Sequence, residues 1–206
     1  MTQRPLRDPS DPRAARTRAR IRGAILDAAR TQDDLGDLTV AELCRRAEVH
    51  RVTFYGHFPT LDDAIADALT SLVDDLGAID EERIREAIYP AELSQIYRAA
   101  LDAQVAELAR HREVYRRLFG ADAAHAFTAA LTDSLRERAQ LAIDAFTAAG
   151  IEVPGAGDGI AARYLGAGIA AAFASFVASD EDDLPSAARR IAAQLPRWWP
   201  EGPAGS

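Results

Sequence analysis

The stretch that decides the fold is Leu38-Thr-Val-Ala-Glu-Leu-Cys-Arg-Arg-Ala-Glu-Val-His-Arg-Val-Thr-Phe-Tyr-Gly-His-Phe58. It opens on Thr39-Val-Ala-Glu42, which has the form of a capping box. Thr39 can accept from a free backbone N–H of a starting helix, and Glu42 can reach back to the cap. Val40, Leu43, Cys44 and Ala47 follow at i, i+3, i+4 and i+7, one face of a two-turn helix. A break at Glu48-Val49 separates this helix from a second one, predicted from His50 to about His57 and stopped by Pro59. In the second helix Phe54 and Phe58, four residues apart, supply an apolar side. Arg51, Val52 and Tyr55 lie together on another side, with Thr53 and His57 flanking them.

Working outward, the same helical period recurs on both flanks. Ile21, Ile25 and Ala28 predict a helix beginning near Arg13 or Thr17 and running to about Asp33, with Gly36 as its terminator. Thr60-Leu-Asp-Asp63 is a second capping box, opening a helix to about Asp75. Further helical segments are expected at 81–88, 91–109 behind Pro90, 111–119, 122–149, 158–178 and 185–199, with Pro196 bending or ending the last. Strand-like alternation is absent over any useful length, so the expected class is all-α.

Composition narrows the possibilities. The chain has 206 residues, 48% of them hydrophobic, and a formal net charge of −8. The sign is uneven: residues 1–58 hold 11 Arg against 8 acids, and residues 59–206 hold 13 Arg against 24 acids. The first 30 residues carry 8 Arg and 3 Asp. A basic start on an acidic body suggests that one end meets a polyanion, although a solvated tail has the same composition. Cys44 is the sole cysteine, which rules out a disulfide within the chain and reads as a small buried residue. No secretory signal is recognisable, and the apolar run from Tyr164 to Ser179 is shorter than the ~20 residues of a spanning helix. A soluble, cytoplasmic protein without a membrane partner is expected.

Two short helices on a tight turn, the second with a buried side and a basic, hydroxyl-rich outer side, make a helix-turn-helix unit. In such a unit the second helix enters the major groove and the first braces it. Plainer readings stand beside this one: Tyr55 as a core aromatic, His57 as a packing histidine, Arg51 as a solvated charge.

The segment from Leu38 to Phe58 also resembles the signature of the TetR family of transcriptional regulators. There a Thr-capped helix leads through an Ala-Gly-Val turn to Thr-(Leu/Phe)-Tyr-x-His-Phe, matched here by Ala47-Glu-Val49 and Thr53-Phe-Tyr-Gly-His-Phe58. Ile25-Leu-Asp-Ala-Ala29 resembles the pattern of the family's first helix. The resemblance covers about a quarter of the chain. It implies base contacts from Arg51 and Val52, a guanine fork and a thymine-methyl contact respectively. It implies phosphate contacts from Thr53, Tyr55 and His57, a phosphate near the Thr39 cap, and a further contact from His50. Two departures matter. Glu48 replaces the turn glycine, and a positive φ there would carry strain of about 1 kcal/mol. Leu61 replaces the family's Lys, a loss for which Arg13 to Arg22 are expected to compensate.

The implied organisation is a disordered basic arm over 1–12, a three-helix helix-turn-helix DNA-binding domain over 13–59, and a helical-bundle ligand-binding and dimerisation domain over 60–206. The family pairs subunits through its last two long helices. Here Gly166, Gly168, Ala170, Ala171, Ala172 and Ala174 would allow close approach, with Phe173, Phe176 and Val177 adding apolar contact; the same residues could equally be core. Tyr97, Leu101, Tyr115, Phe119, Phe127 and Tyr164 are the candidate lining of an effector pocket, with Leu118 and Leu131 beside them. The expected function is a homodimeric repressor, released from a palindromic operator of double-stranded DNA by a small-molecule effector. A DNA-binding protein without an effector is the rival reading. No nucleophile–base pair or phosphate loop is evident, so no enzyme is expected. His111 and His125 are isolated, so no metal and no other cofactor is expected. Gly155-x-Gly157-x-Gly159 follows no strand and reads as a loop.

Overall fold

A computed structural model describes residues 11–31, 38–120 and 124–199. Four expectations lie outside the described residues: the basic arm up to residue 10, the Gly36 terminator, the helix start at Asp122 and the side chain of His125. Every regular element among the described residues is helical: α1 (Pro12–Thr31), α2 (Val40–Ala47), α3 (Arg51–Tyr55), α4 (Leu61–Gly77), α5 (Glu81–Glu86), α6 (Pro90–Arg110), α7 (Arg112–Gly120), α8 (Ala124–Ala148), α9 (Ile160–Ala178) and α10 (Leu184–Ala192). The last helix is shorter than expected. It ends at Ala192, and single turns such as Leu195 N–H to Ala192 O (3.0 Å) and Trp199 N–H to Pro196 O (2.8 Å) carry the chain onward. Pro196 cannot donate to a helical ladder, so the helix has stopped before reaching it.

The chain divides into two compact units, Met1–Leu72 and Val73–Ser206. The division falls inside α4, thirteen residues beyond the expected boundary at 59/60. The reason is packing. Ala64 and Ala68 share one buried cluster with Ile21, Ile25, Leu43, Phe54 and Phe58, so the first turns of α4 close the core of the first unit. Ion pairs stitch its surface: Arg22 Nε reaches Asp67 Oδ2 at 2.7 Å, and the Arg18 guanidinium sits 4.9 Å above the Phe58 ring.

In the second unit α8 and α9 lie in close contact. A Cβ on Gly166 would come within 2.8 Å of the Arg136 backbone nitrogen and 2.9 Å of the Thr132 carbonyl, so glycine sets the approach of these helices. The C-terminal carbonyls of α9, unsatisfied within the helix, accept from two arginines of α7. Arg112 Nη1 donates to Ser179 O at 2.7 Å and Arg116 Nε to Val177 O at 3.0 Å. By length and composition α9, 19 residues long, could cross a membrane, slightly more than its apolar run suggested. In the fold 44% of its most apolar 18-residue stretch is buried.

Candidate functional site

The first candidate surface is built by α2, its turn and α3. Thr39 caps α2, its hydroxyl accepting from Glu42 N–H at 3.2 Å. The reciprocal half of the box does not form. The Glu42 carboxylate accepts instead from Arg45 Nη2 at 2.6 Å and Arg46 Nε at 2.8 Å, and these bonds hold its carboxyl down to about 2. Three- and four-residue spacing puts those arginines within reach on the same helix face. The Thr60–Asp63 box is complete: Thr60 N–H donates to Asp63 at 3.0 Å and Asp63 N–H donates to Thr60 at 3.1 Å.

Beyond α2 the chain turns on Glu48, with φ 51° and ψ 46°. Glu48 N–H donates to Arg45 O at 3.3 Å and Val49 N–H to Cys44 O at 3.0 Å, the paired bonds of a Schellman turn. The left-handed residue anticipated at this position is therefore present without a glycine. Arg20 holds it from outside, donating to the Glu48 carboxylate at 2.8 Å and to its carbonyl at 3.1 Å.

The turn delivers α3 with its sides sorted. Phe54 is fully buried, its ring edge-on to Tyr55 at 5.3 Å and tilted against Phe58 at 5.9 Å. Val52 is 72% and Tyr55 52% exposed, and His50, Arg51 and Thr39 are exposed with them. Thr53 is half-buried at the margin. His57 departs from the expectation. It is 1% exposed, both ring nitrogens are enclosed, and its ring lies 6.5 Å from that of Phe58. The physical reason is spacing: His57 stands three residues after Phe54 and so shares its inward side. A phosphate contact from this imidazole is not available in this conformation.

Charge pairing separates Arg51 from its neighbours. Arg18 and Arg22 pair with Asp67, Arg20 with Glu48, Arg45 and Arg46 with Glu42. Arg51 has no acidic partner among the described residues. The compensation expected of Arg13 to Arg22 is accordingly reduced, because Arg18, Arg20 and Arg22 are committed within the unit. Arg13 and Arg16 remain exposed.

The second candidate is a cavity of about 320 Å³ in the Val73–Ser206 unit. α6 lends it Ser94, Tyr97, Arg98, Leu101 and Gln104; α8 lends Leu135 and Arg138; α9 lends Ile169; the segment after α10 lends Leu195, Arg197 and Trp199. Tyr97 is edge-on to Trp199 at 5.2 Å and to Phe146 at 5.5 Å. Its hydroxyl is buried without a hydrogen-bond partner among the described residues, and burial pushes its pKa well above the usual tyrosine range. Of the six expected lining residues, Tyr97 and Leu101 are at the cavity. Tyr115, Phe119 and Phe127 form a separate aromatic cluster, with Phe119 and Phe127 5.4 Å apart and Tyr115 and Phe127 6.2 Å apart. Tyr164 is 69% exposed on α9. Missed were Arg98 and Gln104, which the helical period of α6 places beside Tyr97 and Leu101, and Arg138 and Trp199, which come from other segments.

The face expected for pairing also needs correction. Gly166, Ala170, Phe173, Phe176 and Val177 are buried within the unit. Of the residues expected there, Gly168 and Ala171 stay open, on a side of α9 that also carries Ile160, Arg163, Tyr164, Ala167 and Ser175.

Compared with models of known protein families, the chain matches none. A search of curated proteins finds no match either.

Proposed function

We propose that this protein is a sequence-specific DNA-binding transcription regulator of the TetR type, acting as a homodimer on a palindromic operator and released by a small-molecule effector. One observation carries the reading. On the short helix after the Glu48 turn, His50, Arg51, Val52 and Tyr55 face outward while Phe54 is wholly buried, and Arg51 has no acidic partner among the described residues. A guanidinium on such a helix suits the O6/N7 edge of guanine, and an exposed valine suits a thymine methyl. Tyr55, held edge-on by Phe54, suits a phosphate, which sets register.

Pairing supplies the second half-site about 34–36 Å away along the duplex. The open side of α9, with Ile160, Tyr164, Gly168 and Ala171, supports such pairing, since its small residues permit close approach of a second copy. The cavity supports the effector form of the reading over a regulator without one. An effector that prefers a geometry unsuited to DNA withdraws the protein from its operator by mass action, and α4, which runs through the division between the units, is the proposed lever.

The test is binding of the full chain to palindromes in its own upstream DNA, with a salt titration. Arg51→Ala should cost about 1–3 kcal/mol at the preferred site and flatten preference at one base position. Tyr55→Phe should weaken all sequences alike. Equal losses across sequences from both changes would contradict the assignment.

A further inference from the structure

We infer that the cavity takes an amphipathic organic anion, an aromatic or aliphatic body ending in one carboxylate; this rests on the effector reading and names the class of ligand. The charge of the lining decides it. The Val73–Ser206 unit holds 13 Arg against 21 acids. Arg98, Arg138 and Arg197 nevertheless line the cavity, and no Asp or Glu among the described residues lines it. A positive site in an acidic body focuses the field on anions and excludes cations.

The three arginines are not equivalent. Arg138 Nη1 donates to Glu81 at 2.7 Å, so its charge is already balanced. Arg98 and Arg197 have no acidic partner among the described residues and keep solvent exposure, which puts them where the cavity meets water. A guanidinium there can fork onto a carboxylate without the cost of full desolvation. Deeper in, Leu101, Leu135, Ile169 and the rings of Tyr97 and Trp199 offer an apolar wall. The buried Tyr97 hydroxyl stays protonated and remains a donor for a ligand oxygen.

The chain's two tryptophans, Trp198 and Trp199, both stack at this end of the core, 5.9 Å apart. Their emission, excited in the red edge where simple phenyl groups do not absorb, reads binding directly on the full chain. The probes are 4-phenylbutyrate, its neutral amide and 4-phenylbutylammonium, which share one body and differ in charge. The carboxylate should bind about tenfold more tightly than the amide, and the ammonium most weakly. In the Arg98→Gln/Arg197→Gln double variant the carboxylate and the amide should agree to within about twofold, the carboxylate having lost most of its advantage. Both positions are exposed, so the fold should persist, and unchanged circular dichroism checks it. Equal or tighter binding of the amide or the ammonium overturns the inference. So does a carboxylate preference that survives the double variant, or no response to any probe up to about 1 mM. Operator binding is measured separately: release of DNA by the neutral amide would leave the effector reading standing while sinking the anion. Carboxylate preference in a chain that binds no palindrome would do the reverse.

Discussion

In the Met1–Leu72 unit each large side chain of α3 has one environment, and helical spacing decides it: Phe54 inside, Val52 and Tyr55 outside. α9 of the Val73–Ser206 unit follows no such rule. Apart from Arg163 and Tyr164 near its start it is apolar or small all round, and Gly166 and Gly168, two residues apart, have opposite surroundings. A Cβ on the first would strike the backbone of α8, whereas one on the second meets nothing within 4 Å. Where large apolar residues alternate with polar ones, burial follows from the sequence. Where small residues fill every side, burial is decided by the neighbour that happens to pack there.

The sharpest way to break this contrast is at Phe54. Phe54→Ala removes a fully buried ring that touches both Tyr55 and Phe58, and should cost about 3–5 kcal/mol by denaturant unfolding. Val52→Ala, two residues earlier and exposed, should stay within about 0.5 kcal/mol of wild type. Comparable losses would mean that α3 is not oriented as described.

Smaller effects are expected on α9. Gly166→Ala should destabilise by about 1–3 kcal/mol, because the obstruction is backbone and can yield only if α8 and α9 separate. Gly168→Ala should instead raise helix stability by about 0.5–1 kcal/mol in the dilute chain, the ordinary gain of alanine over glycine within a helix. Thermal unfolding of the two variants side by side decides it. The same sign for both would erase the distinction between the two sides of this helix.

Much of the fold could be read from local chemistry. The all-helical class, the Thr39 and Thr60 caps, and the buried Phe54 and Phe58 all follow from spacing or from a single capping residue, whereas a left-handed residue at Glu48 came into view only through the resemblance to a turn that has glycine there. What escaped was set by choices among near-equivalent partners or by packing across distant segments. Glu42 had its own cap and two arginines within reach, and charge prevailed over the neutral N–H. His57 was assigned outward by analogy, although its three-residue distance from Phe54 already pointed inward. The cavity draws Arg98, Arg138 and Trp199 from three separate segments, and no period along the chain brings them together. The sides of α9 were unreadable because the same small residues serve for close packing against α8 and for an open surface.

The smallest expected effect sits at the turn that connects α2 to α3. Glu48 adopts φ 51°, which costs a residue with a Cβ about 1–2 kcal/mol. Glu48→Gly removes that strain but gives back about 0.4–1 kcal/mol through the greater freedom of glycine in the unfolded chain. It also removes the exposed carboxylate that pairs with Arg20, worth about 0–1 kcal/mol. The bond from Arg20 to the residue 48 carbonyl survives, since it needs no side chain. The balance is a gain of about 0.5 kcal/mol, or roughly 2–4 °C in the melting temperature of a small unit. Glu48→Gln separates the terms: it keeps the strain, loses the charge, and should melt at or slightly below wild type. If Glu48→Gly proves less stable than Glu48→Gln, the Schellman turn is held by something other than the backbone bonds from Glu48 and Val49, and the ordering of α3 on that turn would have to be derived anew.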